Sequence, residues 1–282
     1  MTRKILPALL VLFLITAACG FRFDLPASVT VGEDVTDAIN VPVPASEPVR
    51  LELDFGAGSL TLAPGAAPAL VEGTATYNIT DLKPEITTTA GTVQIEQGNY
   101  SFQSGPLGDI KNIWDLKLGD APMELVVNAG AYEGRFEFGG LALTGLTVRD
   151  GAADVDLSFS SPNAAEMSIL RYETGASNVR LTGLGNANFT TLIFNSGAGD
   201  YTLDFSGEFQ RDATATIESG LSNLILVIPE GVNAHVTVES GVANINAGSG
   251  WSQSGNVYTQ SGEGPTLTIL VKTGAGNLTL TR

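Results

Sequence analysis

Side chains able to do chemistry are sparse in this sequence, and most of them are carboxylates. His235 is the single histidine, the residue type suited to general-base work because it titrates near neutrality. It sits in Val232-Asn233-Ala234-His235-Val236, which reads as a strand, and a lone strand histidine is expected to be structural. Two carboxylate pairs, Asp154 with Asp156 and Asp200 with Asp204, have the even spacing that puts both members on one strand face. Paired acids can hydrolyse glycosidic bonds, so a polysaccharide-active enzyme is one reading; solvated surface acids account for them more simply. Asp154 and Asp200 also belong to a series: Asp154, Asn178, Asp200, Asn223, Asn244 and Asn277 each stand three residues after a glycine. Stacked coils would bring the six side chains into one ladder of turn residues, since Asn and Asp hydrogen-bond their own turns and tolerate left-handed backbone. Only two of the six are charged, too few for a hard-cation site, so no metal is expected. A single Cys and a single His exclude multi-His or Cys-rich metal centres. No nucleophile elbow, phosphate loop or dinucleotide fingerprint occurs in a fitting context. The expectation is therefore no catalytic residue and no cofactor.

The elements that must position these residues are strands. The chain has 282 residues, 43% of them hydrophobic, with 33 Gly and 14 Lys and Arg against 30 Asp and Glu, a formal charge of −16. That balance repels a phosphate backbone, so nucleic acid is not an expected partner. Apolar and polar residues alternate in Leu51-Glu52-Leu53-Asp54-Phe55, Val155-Asp156-Leu157-Ser158-Phe159 and Tyr201-Thr202-Leu203-Asp204-Phe205, the period of half-buried strands. The same alternation assigns Phe136, Phe138, Phe159, Tyr201 and Phe205 to the core rather than to an exposed carbohydrate platform.

The glycine-led breaks repeat. From Gly130 through Gly151, Gly175, Gly197 and Gly220 to Gly241 the intervals are 21, 24, 22, 23 and 21 residues. A fixed period of this size marks a repeat architecture in which each unit buries its apolar face on its neighbours. The expected fold is all-β, a repetitive, β-helix-like β-solenoid with coils of about 22 residues over 129–282; a two-layer stack of hairpins fits the spacing nearly as well. Residues 49–128 are less regular and read as the opening part of the same β structure. Ser249 to Gly264 lengthens the last interval and reads as an inserted hairpin or loop.

At the N-terminus, Thr2-Arg3-Lys4 precedes an apolar run from Ile5 to Ile15 and the small residues Thr16-Ala17-Ala18. The run is shorter than the roughly 20 residues a membrane-spanning helix needs and fits a secretory signal. The stretch Ile15 to Cys19 resembles a bacterial lipoprotein signal. That resemblance implies a signal peptide over 1–18, a lipid on Cys19 that anchors the chain in a membrane, and a tether over the Pro-containing residues 19–48.

The run Leu51 to Leu62, the segment Trp114-Asp115-Leu116-Lys117-Leu118 and the Gly-Ala-Gly turns at 197 and 274 resemble bacterial toast-rack domains. The final third is similar to the β-helical domain shared by adhesin-type proteins and by the extracytoplasmic part of LiaF-like envelope-stress proteins. The resemblance covers about residues 49–282, speaks to fold, and carries over no catalytic residue. It implies an extracytoplasmic, lipid-anchored envelope protein whose β-solenoid presents a binding surface to a protein or a glycan, in an adhesive or structural role. The alternatives are an envelope-stress sensing or regulatory module acting on a membrane protein, and the polysaccharide-active enzyme.

Overall fold

The computed structural model describes residues 31–98 and 110–282. Cys19, the signal peptide and residues 19–30 of the expected tether lie outside the described residues.

Sixteen strands join in one sheet: β1 Val35–Pro42, β2 Val49–Pro64, β3 Ala69–Tyr77, β4 Pro84–Thr89, β5 Thr92–Gln97, β6 Asn112–Leu118, β7 Met123–Glu137, β8 Leu143–Asp150, β9 Ala152–Ser158, β10 Met167–Thr182, β11 Phe189–Asp204, β12 Ala213–Val227, β13 Gly231–Ala247, β14 Ser252–Ser254, β15 Val257–Gln260 and β16 Gly262–Thr281. From β7 to β12 the coils pair in parallel, each with the next. Glu133 faces Asp154, Asp154 faces Asn178, Asn178 faces Asp200 and Asp200 faces Asn223, offsets of 21, 24, 22 and 23 residues.

Each long strand serves two faces because it turns a corner in its middle. In β10 the buried positions on either side of the corner are Leu170, Tyr172 and Thr174, then Ser177, Val179 and Leu181. Spacing is two within each half and three across the corner, so Gly175 and Ala176 point outward while both halves keep their apolar side inward. The glycine at the corner is dictated by close approach. A Cβ on Gly197 would lie 2.5 Å from the carbonyl oxygen of Gly175, and one on Gly175 would lie 2.5 Å from that of Gly151. Corner glycines thus stack backbone on backbone down the sheet, and any side chain would wedge the coils apart. The aromatic residues assigned to the core fill it: Phe138 and Phe205 are fully buried, and Phe136, Phe159 and Tyr201 nearly so.

Three features differ from the sequence reading. The first concerns the tether over 19–48. Residues 35–42 of it form β1, antiparallel to β3, because Ile39 and Val41 alternate toward the core and are buried there. The second concerns the border between 49–128 and 129–282, which falls inside β7. β2 pairs with β7 from Val49–Met123 to Leu62–Phe136, so the two regions are one stack whose first coil is β2. On the free edge of β2, β6 pairs in parallel with one half and β5 with the other, and antiparallel strands extend each cover, β3 and β1 beyond β6 and β4 beyond β5.

The third is spatial order. β12 is followed in space by β16 and only then by β13, so the last coil of the chain lies inside the stack and the one before it lies at the end. Ser249 to Gly264 contains the hairpin β14–β15, which pairs with the first half of β13 at Ala234–Thr237.

Candidate functional site

The halves of the coils that follow the corner carry a polar outer face. Its first column, three residues after each corner glycine, contains Glu133, Asp154, Asn178, Asp200, Asn223, Asn277 and Asn244 in that spatial order. The structure therefore brings all six of the singled-out residues into register, with Asn277 and Asn244 exchanged relative to chain order. Amides bridge the coils: Asn223 Nδ2 donates to Asp200 Oδ1 at 2.7 Å, Asn277 Nδ2 to Asn223 Oδ1 at 2.7 Å and Asn244 Nδ2 to Asn277 Oδ1 at 3.3 Å. The rationale from turn chemistry does not hold. The six residues lie within strands, and among the described residues only Ala90 and Asn188 are non-glycine residues with positive φ. A side-chain ladder across parallel strands, not a self-bonded turn, is what repeats.

The second column, two residues further along, contains Arg135, Asp156, Arg180, Thr202, Ile225, Thr279 and Asn246. Arg135 joins the columns: its guanidinium lies 2.8 Å from Glu133, 3.3 Å from Asp154 and 3.6 Å from Asp156, and Arg180 lies 3.7 Å from Asp156. All of these groups are substantially exposed, so each pair contributes little to stability, of order 0–1 kcal/mol. Their effect is to hold charged heads in a fixed pattern. Between the two columns runs a groove of about 520 Å³ lined by Asp154, Asp156, Arg180, Asp200, Thr202 and Asn223, among others. The sequence reading missed Arg135 and Arg180. The signal was present, since both stand five residues after a corner glycine.

The candidate acid pairs meet no catalytic arrangement. Asp154 and Asp156 share the outer face and are engaged by Arg135, whereas Asp204 caps its own strand end by accepting the Ser206 N–H at 2.8 Å. His235 is exposed on β13 between Thr268 and Thr259. Among the described residues no group of three or more His, Cys, Asp or Glu could hold a metal ion, and no helix is long and apolar enough to cross a membrane.

Behind one corner lies a buried polar cluster. The Asp150 carboxylate accepts hydrogen bonds from Tyr172 Oη at 2.7 Å, Ser177 Oγ at 3.3 Å, Tyr132 Oη at 3.5 Å and from Thr174 Oγ1. Burial, reinforced by the Asp150 charge, pushes the Tyr132 phenol well above its usual range. Burial is also the main cause for Tyr172, with the neighbouring Tyr132 and Asp150 adding to it. At a strand end, burial works to raise the Glu137 carboxyl. Hydrogen bonds from Ser158 Oγ at 2.5 Å, the Ser160 N–H at 3.1 Å, Ser160 Oγ at 2.8 Å and the Gly139 N–H at 2.6 Å outweigh it and hold the group below its usual range. Both clusters are structural, joining coils through inward or edge-facing groups rather than opening on the groove.

Comparisons with known proteins agree with this architecture. Residues 30–169 match the family described as the N-terminal domain of toast_rack, DUF2154. Among solved structures, a putative cell adhesion protein from Clostridium sporogenes is 19% identical, with a TM-score of 0.50 over 88% of this chain and 99% of the other. A putative adhesin from Bacteroides fragilis is 11% identical, with a TM-score of 0.42 over 90% and 99%. One from Parabacteroides merdae is 11% identical, with a TM-score of 0.39 over 91% and 100%. No curated protein matches the chain. Residues 30–169 therefore form a toast-rack N-terminal domain, and the chain as a whole has the parallel, corner-turning β-solenoid fold that the C. sporogenes structure shares.

Proposed function

We propose that this is a non-enzymatic, lipid-anchored protein of the bacterial cell envelope whose polar ladder face binds a partner protein. The lipid would sit on Cys19, with the β-stack held outside the membrane. The observation that carries the reading is the in-register face itself: two parallel columns of Asp, Asn, Arg and Thr, spaced by the strand repeat and fixed by cross-coil hydrogen bonds and ion pairs. Groups pre-positioned in this way lose little entropy when they bind. A protein partner is favoured over a glycan because the aromatics of the ladder-face strands, Tyr132, Phe136 and Tyr201, are buried in the core rather than exposed to stack on sugar rings. The names of the C. sporogenes and B. fragilis structures, which refer to adhesion, fit an adhesive or structural role outside the cytoplasm.

The test is crosslinking of the full-length chain in its own envelope, read by mass spectrometry, beside a variant carrying Asp156→Ala, Asp200→Ala and Asn223→Ala. The expected result is one reproducible protein partner for the native chain and at least a tenfold loss of it for the variant, at unchanged melting temperature. Undiminished capture by the variant would refute the ladder face as the binding surface, and retention of only glycan would refute the protein partner. Growth with labelled fatty acid tests the anchor: label should appear on the native chain and vanish with Cys19→Ser.

A further inference from the structure

The two ends of the stack are finished differently. Beside β2, the outermost strands are β1 and β4, and both carry residues that discourage edge pairing: Asp37 and Pro42 in β1, Pro84 and Glu85 in β4. At the other end, the first half of β13 is covered by β15, and the cover stops at Val238, whose N–H donates to Asn256 O at 2.9 Å. From Ser240 to Ala247, β13 pairs with β16 on one side, and its other edge has no strand partner among the described residues.

That open edge reads Ser240-Gly241-Val242-Ala243-Asn244-Ile245-Asn246-Ala247, without a charge or a proline in a chain of formal charge −16. It also leaves core positions unfinished. Ile245 and Ala247 are in register with Leu278 and Leu280, which are 1% and 0% exposed, yet they are only partly buried themselves. At the corner, Val242 is 82% exposed.

We propose that this edge pairs with the same edge of a second copy of the chain, antiparallel, about a twofold axis through Asn244. The pairable segment runs from the corner at Gly241 to the strand end at Ala247, and its midpoint is Asn244. Centring there sets Gly241 against Ala247, Val242 against Asn246 and Ala243 against Ile245. Because the register is centred on a residue, inward side chains meet inward side chains, and each copy covers the other's open layer. The contact is isologous and therefore closes at two copies. Charge also selects this site: two chains of −16 repel wherever carboxylates would be apposed, and the uncharged edge lets backbone groups meet without that cost.

The test is sedimentation velocity of the full-length chain in detergent, with Asn244→Asp and Asn244→Lys alone and mixed. Asn244 is exposed, and its one cross-coil bond is long at 3.3 Å, so both variants should fold. The native chain should be dimeric. Each variant sets like charges against each other on the twofold and should dissociate at least tenfold more readily, and an equimolar mixture should restore the dimer. Asn244→Cys supplies a readout independent of stability: oxidation should link two chains through residue 244, while Asn223→Cys should not. A native chain that stays monomeric at about 100 µM, weaker than any specific dimer worth the name, would overturn the proposal. So would a dimer indifferent to both charges at residue 244, or a lack of cross-linking through Cys at that position.

Discussion

The corner glycines are the feature on which the repeat depends, and Gly197→Ala tests their role. The added methyl carbon would begin 2.5 Å from the Gly175 carbonyl oxygen, whereas ordinary contact starts near 3.4 Å. The corner must therefore open by about 0.9 Å between two coils whose strands are normally some 4.8 Å apart. An opening of that size stretches the two ladder hydrogen bonds that flank the corner, each worth about 1 kcal/mol net. Overpacking of this kind costs typically 1–3 kcal/mol, so about 2 kcal/mol is expected. For a chain of this size, that lowers the melting temperature by roughly 4–8 °C, at about 2–4 °C per kcal/mol. The control is Gly264→Ala in β16, where an added Cβ meets nothing within 4 Å. Scanning calorimetry of both variants beside the parent is the assay. If Gly197→Ala melts no lower than Gly264→Ala, the column is not close-packed, and the explanation of the glycine period given above is wrong.

Three further perturbations have signed outcomes. Glu137 has its carboxyl held below the usual range by four hydrogen bonds that outweigh burial, so it stabilises the fold above the unfolded-state pKa and loses that contribution as pH falls through the folded value; Glu137→Gln should lower stability at pH 7 by about 1–2 kcal/mol and flatten the acid limb of the stability profile in urea titrations. Tyr77 donates to Asp37 at 2.7 Å and, through burial first and then that bond, has its pKa pushed up to about 12. Its contribution is complete below the unfolded value near 10 and is lost as pH rises through about 12. The tyrosinate that forms near pH 12 in the ultraviolet titration of the native chain should therefore be lost in Tyr77→Phe, while the more strongly raised Tyr132 and Tyr172 stay protonated there. Asp150→Asn replaces a carboxylate that accepts from two tyrosines, a serine and a threonine. The expected cost is about 1–3 kcal/mol by chemical denaturation, and a neutral result would mean the hydroxyls find other partners.

How much of this was legible beforehand differs by element. The strand halves were, because Val155-Asp156-Leu157 or Tyr201-Thr202-Leu203 alternate with the period of two that a half-buried strand requires. The ladder offset was legible because parallel in-register pairing converts a repeat in sequence into a row in space. What such a pattern could not reveal is that the corner is a bend inside a strand: Gly-Ala-Gly is equally the signature of a turn, and the shift from two to three residues between buried positions shows only when the inside is known. The strand at 35–42 was hidden by Pro42 and by Pro44 and Pro48 that follow, since Pro42 closes an edge strand as readily as it starts a linker. Arg135 and Arg180 carried a signal at the fifth position after glycine, but chemistry differs from coil to coil there, and no single residue type marks the column.

The exchange of β13 and β16 shows where local pattern gives out and energetics takes over. Both strands follow the same template of inward positions, and the two could occupy either of the last two places in the stack. They differ in what they would bury. β16 directs Leu267, Ile269, Val271, Leu278 and Leu280 inward, whereas β13 offers Ala234, Val236, Val238, Ala243, Ile245 and Ala247. An interior coil is covered on both sides and an end coil on one, so the larger apolar set gains most from the interior place, at about 25 cal/mol per Å² removed from water. The smaller set goes to the end, where part of its surface stays open. The β14–β15 hairpin makes the exchange possible, because it carries the chain out beyond β13, covers one half of it, and returns to enter at β16. The same choice leaves Ala243, Ile245 and Ala247 at the edge, so the order that best fills each chain's core also creates the uncharged edge available to a second copy.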